Sequence, residues 1–177
     1  MSLFNFITDE DLRSSLEVDY EELLRCMAGS AWKASHVLSG SLIEALLIDS
    51  LVSASVVPRT DALQLDLGQA IQKAKQAGMI SSKSADLCSA IRAYRNLIHP
   101  GRSVRLGEQV DADTAAVAAS LVKIIVGEVA IMAHQRTLPA LRVVILAARE
   151  AVIDQRQHTA LQRGGKAGNQ RRCCWAD

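Results

Sequence analysis

Apolar residues recur along most of this chain at intervals of three and four, the spacing of one face of an α-helix. The pattern starts at "TDEDLRSSL", where Thr8 is placed to cap a helix whose first turn is rich in acids. It continues through "YEELLRCMAGSAWKASHVLSGSLIEALLIDSLV", with Gly29 as the point where the helix kinks or breaks. Within that run Lys33, His36, Gly40 and Glu44 follow at three, four and four residues and form one narrow stripe. Almost everything around them is apolar, so this helix belongs at the centre. "SVVPRTDA" reads as a loop. The short segment "DLGQAIQKAKQA" has Leu67, Ala70, Ile71 and Ala74 as its apolar face and Gly78 at the C-terminal cap. The next helix starts near Ser82 and ends at Pro100, with Leu87, Ile91, Tyr94 and Ile98 as its core stripe. After the loop "GRSVRLGEQVDA", Asp111 or Asp113 caps a strongly apolar helix that runs to about Met132. Thr137 caps a last helix, with Pro139 in its first turn and Leu141, Val144, Ile145, Ala148, Ala151 and Val152 on its buried face.

These periods predict an all-α fold: a single-domain bundle of about five or six helices over residues 1–162, followed by a flexible basic tail, 163–177, "RGGKAGNQRRCCWAD". Composition agrees. Apolar residues make up 49% and aromatics 3%, with only three prolines, which favours helices over a sandwich or barrel. The charges Glu44, Asp49, Lys123 and Glu128 interrupt the longest apolar stretches, which argues against membrane spans. The start "MSLFNFITDEDL" has neither a basic n-region nor an apolar h-region, so a reducing cytoplasm is the expected setting. The four cysteines, Cys26, Cys88, Cys173 and Cys174, form no CxxC pair, and neither a metal site nor a cofactor is expected.

Charge changes the picture at one place. The formal net charge is +1, so bulk electrostatics cannot coat a polyanion, yet "IRAYRNLIHPGRSVR" holds four arginines and a histidine with no acid. Arg92, Arg95 and His99 lie within roughly a 60° arc of one helix, on the face away from most of the expected core stripe, with Asn96 beside them. Pro100 ends the helix, so His99 stands at the negative end of the helix dipole, which favours imidazolium. Arg102 and Arg105 follow in the loop. Such a cluster suits cleavage of an RNA phosphodiester. A base takes the 2′-hydroxyl proton, cations hold charge on the phosphorane-like transition state, and an acid protonates the leaving oxygen. Arginine fits the middle role because its planar fork matches phosphate. The same residues also have a purely structural reading, with His99 as a favourable C-cap and the arginines paired with surface acids.

"IRAYRNLIHPGR" resembles the arginine–histidine motif of the HEPN superfamily of small all-helical domains. "SHVLSGSLIEALL" resembles their first long helix with its recurring glutamate, and "LGQAIQKAKQAGMIS" the short helix before the motif helix, so the likeness covers roughly Tyr20 to Met132. The resemblance implies a metal-independent endoribonuclease of a toxin–antitoxin, abortive-infection or CRISPR-linked system. It further implies a homodimer whose two motif helices meet at a composite site. Arg92 and His99 carry the family spacing, with six residues between them; Arg95 and His99, with three, do not. Carried onto this sequence, Arg92, Arg95 and His99 are catalytic, and Asn96, Arg102 and Arg105 contact RNA. Two features depart from the pattern. Ala93 stands where active members often carry a polar residue, and no tyrosine follows His99. Some HEPN groups have lost catalysis, so the alternative is a module that binds RNA or a protein partner, such as an antitoxin or a defence-system subunit.

Three further residues have paired readings. Glu44, if buried, needs a cation, which Arg92 or Arg95 would supply; otherwise it faces solvent. His36 reads as a hydrogen-bonded core histidine. Cys88 reads as a buried cysteine rather than a thiolate tuned by Arg95.

Overall fold

The computed structural model describes residues 2–62, 64–95, 101, 104–105, 107 and 110–136; the last predicted helix and the basic tail lie outside them. Among the described residues there are six helices and no strand, so the all-α expectation holds. They are α1 (Glu10–Ala28), α2 (Trp32–Ser53), α3 (Arg59–Ala62), α4 (Leu67–Gln76), α5 (Ser82–Arg95) and α6 (Ala112–Arg136).

α2 is the axis of the bundle and packs against α1, α3, α4 and α5. Its sequence explains why. Leu42, Ile43, Leu46, Leu47 and Leu51 are fully buried, and Ser35, Ser39 and Gly40, buried on the same broad face one to three turns earlier, are small enough for neighbouring helices to come close there. One contiguous core joins these residues to Phe4, Leu23, Ile71, Cys88 and Ile91, and to the inner face of α6, Leu121, Val122, Ile125 and Val129. α2 and α6 are each long and apolar enough to cross a membrane by length and composition alone, and 56% and 39% of their most apolar windows are buried against the rest of the protein.

Several sequence readings shift on contact with the structure. Asp9, not Thr8, caps α1; its carboxylate accepts from the backbone N–H groups of Asp11 and Leu12 at 3.1 Å each, reaching two orphan donors at once. "SVVPRTDA" is not all loop, since Arg59–Ala62 forms a single helical turn after Pro58. Gly29 breaks the first run outright, and the chain restarts as α2 three residues later. α4 buries Leu67, Ala70, Ile71 and Ala74 as expected, and Gly78 takes a left-handed φ of 69° beyond its end; the structure adds a reciprocal capping box of Asp66 and Gln69 at its start. Asp111 caps α6 by accepting from the Thr114 N–H at 2.9 Å, and the helix extends to Arg136 rather than Met132.

The largest correction concerns α5. Leu87 is 44% exposed, and the buried face is Ser84, Ala85, Cys88 and Ile91. The helix is pinned in this rotation at its start, where Glu128 of α6 accepts from the Ser81 N–H at 3.1 Å and from the Ser84 hydroxyl at 2.9 Å. Small Ala85 and Cys88 allow α5 close to α2, and the larger Leu87 is turned outward. The core stripe keeps Ile91 but is turned by roughly 80° about the helix axis from the one the leucine and isoleucines suggested.

Candidate functional site

That rotation moves the face on which the arginines lie. Position 92 falls four residues beyond Cys88, at the edge of the buried stripe, and its side chain is half-exposed. Arg92 therefore keeps the exposed position expected of it, while the expectation for Arg95 rests on a side chain outside the described residues. Asn96, His99 and Arg102 lie outside the described residues, as does the side chain of Arg95. Arg105 is exposed in the segment between α5 and α6. The groups brought together in the described part of the candidate site are Arg92 and its neighbours on α4.

Arg92 reaches from α5 across the first turn of α4. Its Nη2 is 3.7 Å from the Asp66 carboxylate, the same group that caps α4, and the two side chains are 51% and 61% exposed. An ion pair this open contributes only about 0–1 kcal/mol. Gly68 makes the crossing possible. A Cβ at that position would lie 2.6 Å from Arg92 Cζ and Nη1, so any side chain there would displace the guanidinium. The arginine forms one wall of an open cleft of about 430 Å³, lined otherwise by Asp66, Gly68, Gln69, Gln72, Lys73 and Gln76. The cleft offers two cations and three amides against one acid. Sequence reading missed α4 as part of the site, although Gly68, two residues after Asp66, was a visible signal.

Glu44 is half-buried on α2, and the acid facing Arg92 is Asp66 rather than Glu44. Cys88 is buried; desolvation, with the nearby Glu128 charge, pushes its thiol up to about 12, so it stays protonated at neutral pH and is no nucleophile. His36 departs from its expected role. It is fully buried, and neither ring nitrogen nor the nearby Ser39 hydroxyl has a hydrogen-bond partner among the described residues. Its ring stacks on Tyr94 of α5, with centroids 5.3 Å apart and planes 27° from parallel. Burial lowers its pKa from 6.5, partly opposed by the charge of Asp111, so the imidazole is neutral. The stack fixes α5 to α2 one residue before Arg95. No group of three or more potential metal-binding side chains occurs among the described residues.

No family model, curated protein or solved structure matches the chain.

Proposed function

We propose that this chain is a HEPN-like endoribonuclease of a toxin–antitoxin or antiviral defence system, acting as a homodimer on RNA. One observation carries the reading: Arg92, on the helix that leads into the Arg–His motif, is half-exposed at an open polar cleft beside Lys73 and three glutamines. Arginine and lysine at the cleft attract the phosphate backbone, the glutamine amides offer donors and acceptors to sugar and base edges, and the weak Asp66 pair exchanges readily for a phosphate. In this scheme Arg92 and Arg95 hold phosphate, His99 transfers the proton, and Asn96, Arg102 and Arg105 position the strand. Glu44 supports the motif helix from α2.

A second reading is a non-catalytic module that binds RNA or a protein partner. One observation favours it: the contact of Arg92 with the α4 cap, which engages the guanidinium within the fold. Cleavage of defined RNA strands separates the two. For the nuclease, cutting persists in a chelator, and His99→Ala loses the proton transfer, about 10²- to 10⁴-fold in rate. Arg95→Lys keeps the charge but removes the fork, so it also slows the reaction if contact is bidentate. Equal cutting by His99→Ala and the parent rules out the catalytic role. RNA binding without cutting selects the module.

A further inference from the structure

A second cavity, of about 320 Å³, adjoins the Arg92 cleft across α4. Gln69 and Lys73 line both, whereas Gln72 and Gln76 line only the first. Residues 69 and 73 are one turn apart, so they form a ridge with a cavity on each flank. The end of α2 builds the second cavity. Beyond the C-cap Ala54, Ser55 takes a left-handed φ of 56°. Its N–H donates to the Val52 carbonyl at 2.9 Å, and the Val56 N–H reaches back to Leu51 at 2.9 Å. This turn satisfies the last carbonyls of the helix, buries Val57 and leaves Val56 46% exposed. Val56, Pro58 and the half-buried Leu65 give the cavity an apolar wall, and Asp61 and Gln64 give it a polar edge.

The two cavities differ in charge. The first has two cations and one acid; the second has one acid and no cation besides the shared Lys73. A phosphate therefore suits the first cavity and the ridge, where Lys73 is exposed and forms no ion pair among the described residues. An apolar wall beside a carboxylate suits a flat, uncharged group with polar edges. Its face packs on Val56 and Pro58, and its edge exchanges hydrogen bonds with Asp61 and Gln64. We infer that the second cavity is a nucleobase subsite. It takes the base next to the phosphate that Lys73 holds, in a single RNA strand that crosses the ridge from the Arg92 cleft. The inference rests on the reading of that cleft as a phosphate site, and adds a contact that tells RNA from other polyanions.

The test measures binding of the full chain, at low salt, to two strands of about six nucleotides. One is 2′-O-methyl RNA, which has no free 2′-hydroxyl to attack the phosphate; the other has the same backbone without bases. The parent should bind the RNA more tightly. Val56→Asn, a neutral change at an exposed position, should weaken RNA binding roughly threefold or more and leave the base-free strand unchanged. Lys73→Gln should weaken both strands alike, because it removes a phosphate contact. Equal affinity of the parent for the two strands would overturn the subsite and leave the phosphate site standing. So would a Val56→Asn variant that keeps the full preference for RNA. Binding of neither strand would overturn the subsite together with the reading beneath it.

Discussion

His36 occupies a place that most bundles give to an apolar ring. It is fully buried, stacked on Tyr94, and leaves both nitrogens without a partner among the described residues. Because burial costs an unpaired polar atom its hydration, His36→Phe should keep the stack and hold or raise stability, whereas His36→Ala should lose about 2–4 kcal/mol to a cavity. The lowered pKa sets a pH signature. The unfolded chain takes up a proton near pH 6.5 that the folded chain refuses, so stability is complete above that value and declines as pH falls below it. Urea midpoints measured from acid to neutral pH should show this decline in the parent and a flatter profile in His36→Phe. Gly68 has an equally local role. Gly68→Ala suits the helix but drives the Arg92 guanidinium off its seat, so RNA affinity should drop while thermal stability holds or rises. A parallel fall of both in the same variant would mean that Arg92 serves the fold alone.

At the level of elements, α4 couples folding to the site, because Asp66 both caps the helix and faces Arg92. Asp66→Ala should cost about 0.5–2 kcal/mol through the lost cap, and Asp66→Asn far less, since asparagine caps as well and the exposed pair adds little. If the two variants unfold at the same denaturant concentration, the ion pair rather than the cap carries the stability. At α6, accepted hydrogen bonds from Thr114 hold the Asp111 carboxyl below 3.8, so its share of stability is present above that pH and is lost as acid titrates it. The Asp111 cap was one of two candidates in the sequence, whereas the Asp9 and Asp66 caps were not read there; the helices were legible because the three-and-four spacing of α2, α4 and α6 leaves little alternative. What sequence did not disclose was rotation. Leu87, Ile91, Tyr94 and Ile98 form a good stripe on paper, yet the Glu128 contacts to Ser81 and Ser84 turn α5 so that Leu87 faces out. Those contacts join residues more than forty apart, which no local period encodes. The depth of His36 was hidden for the same reason, since its ring partner lies on α5.

For the whole molecule, the near-neutral charge means that binding of a polyanion has to be local, and the cleft between α4 and α5 is where the described residues concentrate cations and amides on an open surface. The candidate site was half legible in the sequence. The motif arginines stand out by charge and spacing, but the α4 wall emerges only when Gly68 is seen to let Arg92 cross it. The most direct test is the salt dependence of single-stranded RNA binding by the parent and by Arg92→Ala. If Arg92 holds a phosphate, the parent should bind RNA with affinity that falls linearly on logarithmic axes as salt rises. The variant should then bind more weakly, with a slope shallower by about 0.7, one contact's worth of released counterion. Identical affinity and slope for the two proteins, or no RNA binding by the folded parent at low salt, would contradict the account.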